Sequence, residues 1–576
     1  MPISVTCTRR SLAAALAVVA AAIVFSPLVA ALTGTGLKWP SVADAFRHVG
    51  RPLAGSVGAA VGGAVVAMLL GFPFAIAVDR AGPWVRRACW GCALATLIVP
   101  PYVVAESAIV LLGPAGKMSR GLALRLGMGP PATDVVGRAR YAVPGFVFTR
   151  SAVGCVLGGC FFPIVALAVA GANRRTDRRV FESARLIRGG RGVASVAAHV
   201  LVPPAVGAGL LVFAASLTES VVPQLLRVRT VGEAINDRVQ DGDLATAAAL
   251  SLPLLPAIVA AGAAGAWVLV RARAASLAGL EGEVPTFTGG HGGRAVGAGA
   301  AAVTGLAVLP GLVLPAVSLA WLALATPVLP SMGGGHRVLR ASGFGEALAG
   351  AWALVRDDAI RTAMLAAVTA TVSVAFAVAL VWPLVRNRWG TLLGGLGAGL
   401  AVPAPIVGLG LIVLWNRGPT TAVYHSLAIV VLCWLARFLP IGVLLSQVAL
   451  ARVPRELEEA AALAGRGAMG RLASVVLPAA APGLAAAWVA TYVLCATEYA
   501  ATLLVAPAGS PMLAPSVVNL MRRGQDPEIA AVQVLLLAVV AAPLVVIGVG
   551  LLCRRAWASV RPIEAPDVHP GLRRAR

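Results

Sequence analysis

The chain has 576 residues, 59% of them hydrophobic and 12% charged, with a mean hydropathy of +0.87. One soluble core cannot hide that much apolar surface, which excludes a water-soluble globular domain and calls for a bilayer, at about 20 apolar residues per helical span. The net charge of +23 would suit nucleic acid in a soluble protein, but here the arginines gather in short segments between apolar runs, as orientation in a membrane requires. Long unbroken apolar runs rich in Ala, Val, Leu and Gly fit packed helices and not a β-barrel, whose strands alternate apolar and polar residues.

In chain order, Arg9-Arg10 precede an apolar stretch from Ser11 to about Thr33, too long for a cleaved leader's core and read as a retained first helix. Six spans are predicted near 11–34, 54–78, 88–113, 146–171, 200–218 and 244–270. Six more are predicted near 295–327, 361–385, 391–415, 422–449, 475–505 and 529–553. The predicted fold class is therefore an all-α polytopic membrane protein with about twelve transmembrane helices.

Arginines follow the even-numbered spans: Arg80, Arg86 and Arg87, then Arg174 to Arg191, Arg271 and Arg273, Arg386 and Arg388, Arg452 to Arg471, and Arg554 and Arg555. Both termini should then be cytoplasmic. The loop 114–145 dissents, since it is predicted outside yet carries Lys117, Arg120, Arg125, Arg138 and Arg140. Cys89-Trp90-Gly91-Cys92 has redox-motif spacing but lies at the start of a span, outside the βαβ context such a motif needs, and reads as buried small hydrophobes. His291, in Gly289-Gly290-His291-Gly292-Gly293, reads as linker and not as a metal ligand.

The chain repeats itself. Phe162-Pro163-Ile164 matches Leu439-Pro440-Ile441, Phe181-Glu182-Ser183-Ala184 matches Glu458-Glu459-Ala460-Ala461, and Thr218-Glu219 matches Thr497-Glu498. Asp243-Leu244-Ala245 echoes Glu528-Ile529-Ala530, so an offset of about 280 residues holds throughout. The expected organisation is a first half over 1–272, a cytoplasmic linker over 273–294, a second half over 295–555 and a basic cytoplasmic tail over 556–576. An even number of spans per half relates the halves by a pseudo-two-fold axis along the membrane normal.

The most informative segment runs from Pro454 through Glu459-Ala460-Ala461 to Gly465 and on to Val475-Val476-Leu477-Pro478. It predicts a short helix over 456–464, begun after Pro454 and stopped at Gly465. Its pattern is E-A-A, three residues, Gly, nine residues, an aliphatic residue, one more, then Leu-Pro. This resembles, at every fixed position, the cytoplasmic E-A-A loop of binding-protein-dependent ABC importer permeases. The first half carries a degenerate copy, Glu182-Ser183-Ala184, with Arg188 in place of the Gly and Val202-Pro203 two residues late. Beyond the loop, Thr497-Glu498-Tyr499-Ala500-Ala501-Thr502-Leu503-Leu504 and Thr218-Glu219-Ser220-Val221-Val222-Pro223-Gln224-Leu225 resemble the fused permeases of ferric-iron importers. Thiamine permeases share the fused plan; putrescine and sulfate permeases share the half-unit fold.

The resemblance covers nearly the whole chain and implies two six-helix type I ABC importer permease repeats in a bacterial cytoplasmic (inner) membrane. It implies that Glu459, Ala460, Ala461 and Gly465, with Glu182 and Ala184, couple to two copies of a cytoplasmic ABC ATPase subunit. It further implies an extracytoplasmic solute-binding protein above, and ATP and Mg held only by the partner subunits. The cargo expected first is ferric iron, then thiamine or a polyamine.

From the residues themselves, Glu219 and Glu498, each placed at the outer end of an apolar run, are candidates for a gate or translocation path, since ionisable groups in spans are functional by default. Asp243, Asp526 and Glu528, by outer loops, are candidates for binding-protein contact. No cofactor or metal site is expected in the chain. Gly113-Pro114-Ala115-Gly116-Lys117-Met118 lacks the spacing and the Ser/Thr of a Walker A loop, so the chain is not itself expected to be an enzyme. His199, near an arginine-rich helix start, is expected to be structural. The competing expectation is a twelve-span secondary transporter driven by an ion gradient, which has no use for duplicated E-A-A loops. A membrane-embedded enzyme would need convergent ionisable residues that the spans lack.

Overall fold

The computed structural model describes residues 3–36, 38–113, 146–176, 178–276, 292–326, 338–339, 342–384, 396–397, 399–400, 402–522 and 527–560. The dissenting loop 114–145, most of the linker with His291, Arg386 and Arg388, Asp526 and the tail beyond Val560 lie outside the described residues.

Helices account for nearly all of what is described. In the first part they are α1 (Ile3–Gly34), α2 (Trp39–His48), α3 (Gly50–Asp79), α4 (Pro83–Ala95), α5 (Pro101–Leu112), α6 (Arg150–Arg175) and α7 (Arg178–Thr218). There follow α8 (Val221–Leu225), α9 (Val231–Gln240), α10 (Leu244–Ser251) and α11 (Leu254–Ser276). The second part begins with α12 (Gly292–Val308), a π turn over Leu309–Val313 and α13 (Leu314–Leu324). It continues with α14 (Ser342–Val381), α15 (Ala404–Trp415), α16 (Thr421–Tyr424), α17 (Ala428–Ala451), α18 (Arg455–Leu463), α19 (Ala468–Arg471), a π turn over Leu472–Val476 and α20 (Leu477–Ala496). It closes with α21 (Ala500–Val505), α22 (Leu513–Met521) and α23 (Pro527–Val560). Among the described residues the only strands are Ala325–Thr326 and Val338–Leu339, paired antiparallel.

Among the described residues ten helices are long and apolar enough to cross a membrane, so the chain has the character of a multi-pass membrane protein. The third and ninth expected spans are the exceptions. Their apolar helices, α5 and α15, have 12 residues each, about 18 Å of helix against about 30 Å of hydrocarbon. Pro100 and Pro403 stand at the N-caps of these helices in extended backbone, at ψ 138° and 140°, and there the helices begin. The eleventh expected span, 475–505, likewise breaks at Thr497–Tyr499.

The packing repeats along the chain. α3 packs on α6 and α7, and α14 packs on α17 and α20 in the same way. Val231 N donates to Ser56 Oγ (3.0 Å), and Leu513 N donates to Thr362 Oγ1 (2.8 Å), so each part ties a short helix late in its sequence to its long helix by one hydroxyl. Asp79, 7% exposed, fastens α3 to α6 by accepting from Arg174 Nη2 (2.7 Å) and Asn173 Nδ2 (3.2 Å).

The first helix of each part packs on the other part. α1 lies on α15 and α17, while α12 lies on α3 and α4 and α13 on α5. Small residues allow the approach: a Cβ on Gly410 of α15 would overlap Pro27 O of α1. Gly410→Val should therefore lower stability by about 3 kcal/mol, the upper end for overpacking. Thermal unfolding of the detergent-purified chain checks this, and an unchanged midpoint would mean that α1 does not seat there.

Candidate functional site

Two places gather most of the residues singled out above: a polar cluster between the two parts, and a pair of exposed helical segments.

The cluster forms where α7 and α20 stop. Glu219 Oε1 accepts from Val221 N (2.9 Å) and Val222 N (3.4 Å), capping α8. Glu498 does the same for α21, with Oε1 accepting from Ala501 N (3.0 Å) and Oε2 from Thr502 N (2.8 Å) and the Thr502 hydroxyl. Trp434, fully buried on α17, donates from Nε1 to Thr502 Oγ1 (2.9 Å) and holds that hydroxyl toward the carboxylate. Both glutamates thus supply the first amides of short helices, which otherwise have no partners.

Ser216, three residues before Glu219, faces Gly63, midway along α3.

Two further side chains complete the cluster, Arg437 and Tyr102. Arg437 of α17 brings Nε to 3.8 Å from Glu498 Oε1 and acts electrostatically on Glu219 as well. Its Nε and Nη1 are buried and donate no hydrogen bond. Tyr102 of α5, 3% exposed, feels both carboxylates, and its hydroxyl has no hydrogen-bond partner. Glu106, one turn along the same helix, is 5% exposed. Arg522 ties the short helices together by donating to Gln224 Oε1 (2.8 Å) and Tyr499 Oη (3.1 Å).

Sequence reasoning names the two glutamates and misses Arg437, Tyr102 and Glu106. A signal exists for the two charged residues, because each interrupts an apolar span. Both stand outside the internal repeat: Cys160 precedes Phe161-Phe162-Pro163 where Arg437 precedes Phe438-Leu439-Pro440.

The predicted coupling helix is α18. It starts after Pro454 and ends with Ala464 as its cap and Gly465 in the left-handed region at φ +78°, which favours glycine. None of its residues is buried; Glu459 and Ala460 are exposed and Ala461 is half-buried. Leu463 is 91% exposed. In the first part, α7 carries the degenerate copy on its first turns and then breaks at Arg188 and Gly189 (φ +57°, ψ −141°). Glu182 is exposed, Ala184 is half-buried, and Leu186 and Ile187 are 88% and 78% exposed. The two loops therefore present the same profile, an acid followed by a bare leucine four residues on, which is not the pattern of a solvated helix face. The loop motif points to the glutamates and alanines; the leucines emerge only from their exposure.

The outer candidates are less uniform. Asp243 caps α10, accepting from Thr246 N (3.1 Å), and lies 3.6 Å from Arg238 Nη1, so local structure accounts for it. Glu528 is exposed in the first turn of α23. Glu233 on α9, which no sequence motif marks, has a buried Oε2 with no partner. Burial pushes its carboxyl upward, and Asp237 adds to this. Among the described residues no three His, Cys, Asp or Glu side chains group as a metal cage, and Cys89 and Cys92 are free thiols.

No protein-family model matches the chain, and no curated protein matches it.

Proposed function

We propose that this chain is the fused, two-halved permease subunit of a type I ABC importer in a bacterial inner membrane. Its two six-span repeats cover 1–272 and 295–555, and spans three and nine are the short helices α5 and α15. The observation that carries this reading is α18, an E-A-A helix with no buried residue and a Leu463 that is 91% exposed. A helix of nine residues that buries none of them is marginal in water and gains its use from a partner. The partner is a cytoplasmic ABC ATPase, one copy on α18 and a second on the Glu182 segment of α7. ATP and Mg belong to those subunits, and this chain is no enzyme.

An extracytoplasmic solute-binding protein delivers cargo from above, and Glu528 and Asp243 lie on that side. The carboxylates Glu219 and Glu498 and the Arg437 guanidinium stand between the halves, where alternating access must open and close a path. ATP binding and hydrolysis select between the two states. Ferric iron is the first cargo to test, then thiamine or a polyamine.

The test is recovery of the tagged chain from its native membranes, with bound proteins identified by mass spectrometry, beside Glu459→Ala and Glu182→Ala. An ATPase that co-purifies and weakens in both variants is expected. Stable recovery without any ATPase, together with uptake driven by an ion gradient, would replace this reading with a secondary transporter.

A further inference from the structure

Apart from their exchanged first helices, the two halves meet most, among the described residues, where α9 and α10 of the first pack on α15 of the second. Both α9 and α10 follow α7, whose end the arginine pattern assigns to the outer side.

Two arginines of the second half reach across to the first. Arg522, exposed at the end of α22, donates from Nη2 to Tyr499 Oη (3.1 Å) in its own half and to Gln224 Oε1 (2.8 Å) in the other. Arg437 stands 3.8 Å from Glu498 in its own half and acts electrostatically on Glu219 in the other. Each arginine therefore holds one residue of either half. The residues held are close in sequence, Glu498 beside Tyr499 and Glu219 five before Gln224.

This grip is one-sided. Val231 and Leu513 are matching positions, since each donates to a hydroxyl of its own long helix, and counting from them Arg522 corresponds to Gln240. Counting from Thr218 and Thr497, Gln224 corresponds to Leu503, and Arg437 corresponds to Cys160 as noted above. The pseudo-two-fold mate of the Arg522–Gln224 contact is thus Gln240 with Leu503, which has neither a charge nor a side-chain acceptor on the leucine. The contacts of Ser56 and Thr362, which serve the fold of each half, occur in both; the contact of Arg522 with Gln224 joins the halves and occurs once. Water competes for its exposed partners, so it is a contact that can break and re-form.

We propose that Arg522 and Gln224 form a latch that closes the path between the halves on the outer side, with Arg437 as a second, deeper hold between Glu219 and Glu498. This rests on a path that opens and closes between the halves, which the importer and the ion-driven readings share. Outward opening breaks the Arg522–Gln224 contact, and its return shuts the cargo off from the outside.

The chain carries its own reporters. Cys433 and Cys495 are buried free thiols that feel Glu498, and Cys160 is one that feels Glu219. The test adds a membrane-impermeant methanethiosulfonate to the outer face of right-side-out vesicles holding the full chain. Labelling of these three thiols is followed by peptide mass spectrometry. Arg522→Ala and Gln224→Ala should each speed it about tenfold, as the loss of one hydrogen bond to a charged group allows. Cys89, buried near Arg86 and Arg87 at the opposite end, should stay unlabelled. Gln224→Glu, which turns the contact into an ion pair, should label more slowly than the native chain. A slower rate cannot come from a damaged fold, so this variant decides the matter if the alanine variants fold poorly. Unchanged labelling in the alanine variants, labelling that rises equally at Cys89, or a rate in Gln224→Glu at or above the native one would each overturn the latch. Recovery of an ATPase plays no part in this readout, so the latch and the importer assignment can fail separately.

Discussion

Leu463→Asp should reduce binding of the ATPase partner at least a hundredfold while leaving the chain's own thermal unfolding unchanged. Leu463 is 91% exposed, so nothing inside the chain depends on it. Burying a leucine against a partner is worth about 1.5–3 kcal/mol, and an aspartate in its place must also be stripped of water, which costs more still. A loss of about 3 kcal/mol is already a hundredfold in affinity. Leu186→Asp, at 88% exposure, should do the same at the other docking helix. The first-half segment has Arg185 and Arg188 where the second has Ala462 and Gly465, so on the proposed importer reading the two ATPases would meet different electrostatics. Each single variant should therefore lose one ATPase of two, and the double variant both. The mass of the purified assembly reads this directly. If both variants keep two ATPases, docking lies elsewhere; if unfolding shifts as well, the leucines are not the free surface described.

The docking helix and the repeat are legible in the amino-acid sequence. Pro454 and Gly465 delimit α18 to within a residue, because proline starts and glycine stops a helix for local reasons. The internal repeat is legible because Phe162-Pro163 and Leu439-Pro440 keep their spacing to Glu219 and Glu498. Whatever depends on partners distant in sequence is not. The exchange of α1 onto α15 rests on Gly410 meeting Pro27, and nothing in either segment names the other. Hydropathy runs spans three and nine on across Pro100-Pro101 and Pro403, where the short helices α5 and α15 begin. Arg437 escapes notice because one charge barely changes the mean hydropathy of α17, although its cost in that setting marks it.

Glu498→Ala should destabilise the chain by about 3–5 kcal/mol, the range for removing one member of a buried ion pair. The alanine would leave the Ala501 and Thr502 amides and the Thr502 hydroxyl without their acceptor. It would also leave Arg437, already short of hydrogen bonds at Nε and Nη1, without its nearest counter-charge. The second loss is reversible by design: Arg437→Cys installs the residue that the first half carries at Cys160. Glu498→Ala/Arg437→Cys should therefore be more stable than Glu498→Ala alone, by more than independent sites allow. Glu219→Ala removes the acceptor of two amides and the more distant of the two carboxylates that act on Arg437, and should cost about 1–3 kcal/mol. Thermal unfolding of the four proteins of the cycle measures the coupling, and strict additivity would mean that Arg437 and Glu498 do not act as a pair. The single variant Arg437→Cys carries the argument into transport. It leaves Glu219 and Glu498 facing each other with no cation between them, so the path between the halves gains negative charge. A cationic cargo, as the importer reading expects, should then be held more tightly and released more slowly. Faster uptake of an anionic solute in that variant would point the cluster at a different class of cargo.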